Sequence, residues 1–184
     1  MKKQTKLWLA AGAVLAGAAI ISSRSRTHAP LQTVPHLDLD KYKGRWYEIA
    51  RLPQRFEKGC HCVYAEYSLN PEGYVDVKNT CRKGDPYGKE DSATGKAFPV
   101  EGSSNSKLQV QFFWPFRGDY WILELDTEYT YALVGAPDRE SLWVLSRTPT
   151  LNQDVLERLV HLADQKGFPV EKLLLTDQSC FTQG

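Results

Sequence analysis

What most restricts the architecture of this chain is a train of eight short β-prone runs, near residues 44–51, 60–69, 74–81, 91–99, 107–114, 119–126, 129–135 and 142–147. Turn chemistry joins several of them, as Asn70-Pro71-Glu72-Gly73, Gly102-Ser103-Ser104-Asn105, Phe116-Arg117-Gly118-Asp119 and Ala136-Pro137-Asp138-Arg139. Short loops set consecutive strands antiparallel. Eight of them predict an all-β, eight-stranded antiparallel up-and-down barrel, the closure that leaves no sheet edge exposed. Such a barrel has an interior wide enough for packed side chains or for one small ligand. The 9 Tyr, 7 Phe and 5 Trp against 1 Met fit that reading better than a helical bundle.

One amphipathic helix follows the strands. Asn152 can cap it, Leu151 and Leu156 can form a hydrophobic staple, and Asp154 and Glu157 fall in its positive first turn. Val155, Leu156, Leu159, Leu162 and Ala163 make one apolar stripe, and Gly167 ends the helix before Pro169. A lone stripe needs an apolar partner, so the helix is expected to pack on the outside of the barrel. A short final strand is expected between Lys172 and Gln178, and Leu37 to Tyr42 read as a helical turn plugging one end of the barrel.

The first 36 residues differ in kind. Lys2, Lys3 and Lys6 flank an apolar run from Leu7 to Ile21, the layout of an export signal. The run is shorter than the roughly 20 residues of a spanning helix, yet Arg24 and Arg26 behind it suit an uncleaved anchor. Residues 1–23 are therefore assigned as signal peptide or membrane anchor, 24–36 as a linker containing Pro30 and Pro35, and 37–184 as one domain. The formal charge of +1 divides unevenly: five basic residues and no acidic one precede Asp38, leaving 18 basic against 22 acidic, a net of −4. That is a poor footprint for a nucleic-acid partner. The chain is expected to be exported, periplasmic or associated with the cell-envelope membrane through its N-terminal segment. Its oligomeric state is left open, a homodimer included.

Cys60, Cys62, Cys81 and Cys180 are an even set in an exported chain, which implies disulfides. No metal site is expected, because the Cys60-His61-Cys62 run has no second Cys/His pair at ligand spacing. A hairpin turning at Asn70–Gly73 sets Cys62 opposite Cys81 and Cys60 diagonally across, so its geometry slightly favours Cys62–Cys81. No catalytic grouping is found: there is no His-Glu-x-x-His, no Gly-x-Ser-x-Gly and no phosphate-cradling Gly loop. His28, His36, His61 and His161 read as surface groups, and Glu48 and Glu66 as outward, solvated carboxylates. No cofactor is implied. What remains is apolar. Val63, Ala65, Tyr67 and Leu69 face opposite to Cys60 and Cys62, and line the interior if the disulfides lie outside. Leu108, Val110, Phe112 and Trp114 form a second such set, and Tyr129, Tyr131 and Leu133 a third. With Trp46, the candidate ligand-binding residues are thus Val63, Ala65, Tyr67, Leu69, Val110, Phe112, Trp114, Tyr131 and Leu133. Such a pocket is mostly apolar, with tyrosine hydroxyls to orient a head group.

Three stretches carry a family resemblance. Lys43-Gly44-Arg45-Trp46-Tyr47-Glu48 begins a strand with a Gly two residues before a Trp. Leu142-Trp143-Val144-Leu145-Ser146-Arg147 ends a strand in an Arg just before the helix, and Tyr129 to Gly135 lies between them. A guanidinium laid over an indole face can close a barrel floor. Together these resemble the three signature regions of the lipocalins, from about Asp38 to the C-terminus, and look most like the bacterial outer-membrane lipocalins and their apolipoprotein D-like relatives. The resemblance implies structural roles for Gly44, Trp46 and Arg147, and the disulfides Cys62–Cys180 and Cys60–Cys81. It also implies a hollow barrel that binds, stores or transports a small hydrophobic ligand, a fatty acid or lysophospholipid, without enzymatic activity. The alternatives within the fold are an isomerase-like enzyme, which needs a reactive thiol or acid–base pair in the pocket, and a tetrapyrrole or haem carrier, which needs a pocket histidine. Bacterial members carry a lipidated cysteine after a small-residue box. Here Leu15-Ala16-Gly17 has the form of that box, and Ala18 stands in the cysteine's place.

Overall fold

Strands β1 (Gly44–Arg51), β2 (Cys60–Leu69), β3 (Val75–Lys83), β4 (Glu90–Pro99), β5 (Lys107–Gln111), β6 (Gly118–Leu125), β7 (Tyr131–Gly135) and β8 (Leu142–Ser146) pair antiparallel with their sequence neighbours. Closure comes from β1, which pairs with β8 on one side and β2 on the other, Trp46 standing opposite Ala65. This computed structural model describes residues 29–182. The final strand is only β9 (Leu174–Leu175), which adds to β1 at Ala50 and Arg51.

Two apolar layers organise the interior and the outer wall. Helix α1 (Leu39–Tyr42), capped by Asp38, delivers Tyr42 into one end of the barrel, where it packs with Trp46, Tyr67, Val77, Leu108 and Ile122. Helix α2 (Gln153–Gln165) starts at Asn152, whose side chain accepts from the Asp154 and Val155 N–H groups. Its stripe lies on the outside: Leu159 and Ala163 are fully buried in one cluster with Leu123, Leu133, Leu142 and Val144.

The polar stretch before the barrel is not a free linker where it is described. Leu31 is buried in the cluster under α2. Val34 N–H donates to the Ile122 carbonyl (2.9 Å), Leu37 N–H to that of Ser104 (3.0 Å), and Arg139 Nη2 to that of Ala29 (2.7 Å). Leu31 and Val34 supply the apolar anchors, and backbone hydrogen bonds do the rest. Residues 29–36 thus form a strap held against the barrel, Leu31 in the cluster under α2 and Val34 against the interior one; 24–28, and the leader assigned to 1–23, lie outside the described residues.

The disulfides are Cys60–Cys81 and Cys62–Cys180. The hairpin geometry pointed elsewhere because it assumed an unbroken ladder. In fact β2 is bulged between His61 and Tyr64, and Cys62 takes φ 53°. The bulge turns Cys62 towards the C-terminal tail, where its N–H donates to the Asp177 carbonyl (2.7 Å). Cys60 is left within reach of Cys81, at a Cα separation of 5.5 Å.

Candidate ligand-binding site

The site begins at its floor. Gly44 holds φ +92°, a conformation that disfavours any side chain, and a Cβ there would stand 3.4 Å from Arg147 Nη1. The Arg147 guanidinium lies 4.0 Å over the Trp46 ring and donates to the carbonyls of Lys41, Arg45 and Tyr129 at 2.7, 2.8 and 3.2 Å. Trp46 is fully buried, and its Nε1–H donates to the Tyr42 carbonyl at 2.8 Å. One end of the barrel is therefore sealed by an indole, a guanidinium and the carbonyls that hold it.

Above Trp46 the barrel is hollow. A cavity of about 500 Å³ opens between the 52–59, 112–117 and 136–141 loops. Trp46, Val63, Ala65, Tyr67, Val110 and Phe112 from the sequence-based set line it, joined by Phe56, Val77, Tyr120, Trp143 and Leu145. Near the floor the Tyr120 hydroxyl sits 2.8 Å from that of Tyr42 and 2.9 Å from that of Tyr67. Burial pushes all three phenols upward, Tyr67 to about 12, so they are neutral hydrogen-bonding groups.

Four expected lining residues lie elsewhere. Leu69 has the inward phase of β2 but sits beyond Tyr67, which pairs with Gly44 at the closed end, and is 38% exposed. Trp114 is 86% exposed, because the Phe116 N–H bonds the Phe113 carbonyl and turns the chain out of β5 before it. Tyr131 and Leu133 point outward beneath α2, and the Tyr131 hydroxyl accepts from Arg158 Nη2 at 3.0 Å. Their strand neighbours Ala132 and Val134 are the inward residues. Strand β7 is apolar on both faces because a helix covers the barrel there, so alternation did not reveal which face is inside.

The reading of Glu48 as a solvated carboxylate is overturned. Glu48 is 3% exposed and lines the cavity together with Glu57, whereas Glu66 is the surface group expected, paired with Arg45 at 2.9 Å. Arg51 Nε lies 3.1 Å from both Glu48 Oε1 and Glu57 Oε2, and Arg51 Nη2 donates to the Glu57 carbonyl at 3.1 Å. Thr176 Oγ1 donates to Glu48, and Trp143 Nε1 to Glu57 at 3.4 Å. A sequence signal existed: Glu48 stands two residues from Trp46 and therefore shares its face. Glu57 sits in a 3-10 turn (Arg55–Glu57), where no period applies.

Burial first, and then the neighbouring Glu57, push Glu48 up to about 8 from its ordinary 4.5, and burial raises Glu57 as well. Between those values the native state holds a proton that the unfolded chain has released, so stability falls as pH rises through that window. The melting temperature is expected to drop by at least about 3 °C more in the wild type than in Glu48→Gln between pH 5 and 8, where roughly 1 kcal/mol corresponds to 2–4 °C. Parallel pH profiles of the two proteins would contradict the buried, protonated state of Glu48.

Among the described residues no histidine lines the cavity, and His61 instead faces Asp177 at 3.6 Å. All four cysteines are in disulfides. The chain matches the description "Lipocalin-like domain" over residues 37–178. The outer membrane lipoprotein Blc of Vibrio cholerae is 40% identical over 149 residues, covering 80% of this chain and 86% of that protein. Its namesake from Escherichia coli K12 is 38% identical over 170 residues, covering 92% and 96%. Apolipoprotein D of Bos taurus is 36% identical over 159 residues, covering 82% and 81%. Among solved structures, insecticyanin from Manduca sexta superposes with a TM-score of 0.65 at 20% identity, covering 82% of this chain and 85% of that one. At that identity it speaks for the fold alone.

Proposed function

Because this chain belongs to the lipocalin family, whose members bind small hydrophobic ligands, we propose that it carries a single-chain lipid, a fatty acid or lysophospholipid, in the bacterial cell envelope. The observation that carries this reading is the hollow: about 500 Å³ of mostly apolar space, sealed below by Trp46 and open above. That volume lies in the ordinary range of ligand pockets. Transfer of an acyl chain out of water supplies about 0.8 kcal/mol per methylene, so roughly ten methylenes suffice for micromolar binding before ordering costs. An envelope location agrees with the outer membrane lipoproteins among the relatives. Association with the membrane through the N-terminal segment belongs to the same proposal.

Native mass spectrometry of protein purified without detergent is expected to show one acyl-bearing adduct per chain. Absence of an adduct, together with no uptake of added twelve- to eighteen-carbon amphiphiles, would overturn the carrier. A second reading, a lipocalin-fold isomerase, draws on one observation, the buried Glu48–Glu57 pair at the cavity wall. It requires turnover of a bound ligand that Glu48→Gln abolishes.

A further inference from the structure

The mouth of the barrel is apolar on its outside as well as its inside. Phe56 on the 52–59 loop, Tyr87 on the 84–89 loop, and Phe113, Trp114 and Phe116 on the 112–117 loop are 64–86% exposed. Every other Phe, Tyr or Trp among the described residues is 37% exposed or less, so the crowding belongs to this end alone. At about 200 Å² per ring, the five present roughly 700 Å² to solvent, above the about 300–600 Å² of the largest apolar patch on an ordinary monomer. Phe56, Phe113 and Phe116 also line the cavity, so the patch rims its opening. Exposed charge on the four mouth loops nearly balances, Arg55, Lys58, Lys89 and Arg117 against Asp85, Asp138 and Glu140. The rim therefore offers rings, and little net charge, to whatever covers it.

The path of the chain singles out one occupant. The 29–36 strap starts at the mouth, where Arg139 on the 136–141 loop donates to the Ala29 carbonyl (2.7 Å). It runs to the closed end, where Leu37 N–H donates to the Ser104 carbonyl and Asp38 N–H to the Tyr129 hydroxyl. Everything before Ala29 therefore joins the barrel beside the rings. Seven residues, 22–28, separate Ala29 from the apolar Leu7–Ile21 run, and seven residues reach at most about 25 Å. An eight-residue strand such as β1 is itself about 26 Å long. A bilayer holding that run is within easy reach of the mouth, whereas only a fully extended tether laid along the wall would bring the closed end to it.

We propose that the mouth is a membrane-docking surface: Phe56, Phe113, Trp114 and Phe116 enter the interfacial layer of a lipid bilayer, and the cavity opens directly onto it. Trp and Phe tips with Arg and Lys beside them are the chemistry that such a layer accepts. An amphiphile then passes between bilayer and cavity without its chain crossing water. The surface stands apart from the carrier reading, because it concerns the bilayer and not the ligand.

The test reconstitutes the full-length chain with phosphatidylcholine vesicles whose acyl chains are or are not brominated. Emission from Trp114 is read as the difference between wild type and Trp114→Phe, which keeps a ring at that position. Brominated lipid is expected to quench most of that difference, and to do so even in about 0.5 M salt, because rings and not charges make the contact. The double variant Phe113→Ser/Phe116→Ser keeps the reporter, removes two exposed rings, and is expected to cut the quenching to below about half of the wild-type value. Failure to sediment with the vesicles, Trp114 emission left unquenched on them, or equal quenching in the double variant would overturn the docking surface. A dimer in vesicle-free solution that the double variant dissolves, with no quenching on vesicles, would seat a second copy of the chain on this face instead. Quenching in protein that takes up no added amphiphile leaves the docking surface standing while the carrier falls; uptake without quenching does the reverse.

Discussion

Trp46→Ala is expected to destabilise the protein by about 3–5 kcal/mol, read as a lowered midpoint in denaturant unfolding. The indole is fully buried at the barrel floor, bonded through Nε1 to Tyr42 and covered by Arg147. Its loss leaves a void, and it also removes the platform on which the guanidinium lies. Arg147→Ala strips donors from the Lys41, Arg45 and Tyr129 carbonyls and should itself destabilise. Because the two residues touch, the double variant should lose less than the sum of the single losses. Additivity within about 0.3–0.5 kcal/mol would mean that they are energetically independent, which the stacking forbids.

Ala65→Phe should act oppositely, on binding and not on folding. Ala65 stands opposite Trp46 across the β1–β2 ladder and lines the hollow just above the floor. A phenyl ring there occupies ligand space without displacing a packed neighbour. Affinity for a neutral fluorescent probe should fall at least about tenfold, or 1.4 kcal/mol, with the melting temperature nearly unchanged. Ala132→Phe supplies the contrast, since Ala132 is fully buried in the packed interior cluster. Overpacking of that kind typically costs about 1–3 kcal/mol. Equal destabilisation by both variants would show that the space around Ala65 is filled in solution, and the carrier reading would fail with it.

Strand order, closure and the outer helix were legible because each rests on local chemistry repeated along the chain: turns, alternation, and one capped stripe at Asn152. Facing was legible only where alternation is asymmetric. Val63, Ala65 and Tyr67 could be placed because the opposite face of β2 carries polar groups such as Glu66 and Ser68. On β7 both faces are apolar, and the aromatic set Tyr131 and Leu133 drew the assignment away from Ala132 and Val134. Bulges were the second blind spot. The extra residue near Cys62 redirects a disulfide, and nothing in His61-Cys62-Val63 announces it. Glu48 was misjudged for a different reason: a carboxylate on an inward phase was assigned by its chemistry and not by its period. That preference for polar residues outside fails where a buried guanidinium and hydroxyl, here Arg51 and Thr176, partner the carboxylate inside.

The Cys62–Cys180 bridge spans 118 positions and thereby makes most of the barrel a covalent ring. A protease that cuts the exposed mouth loops at 84–89, 112–117 or 136–141 opens the ring once and releases nothing, since both fragments stay joined through that bond. Only the 52–59 loop at the mouth lies ahead of both bridges, so a cut there frees the N-terminal piece from covalent attachment. Nicked molecules will therefore run as one species on a non-reducing gel and as two on a reducing one, unless the scissile bond is in that single loop. The barrel can thus lose backbone continuity at most of its rim and still hold its wall together.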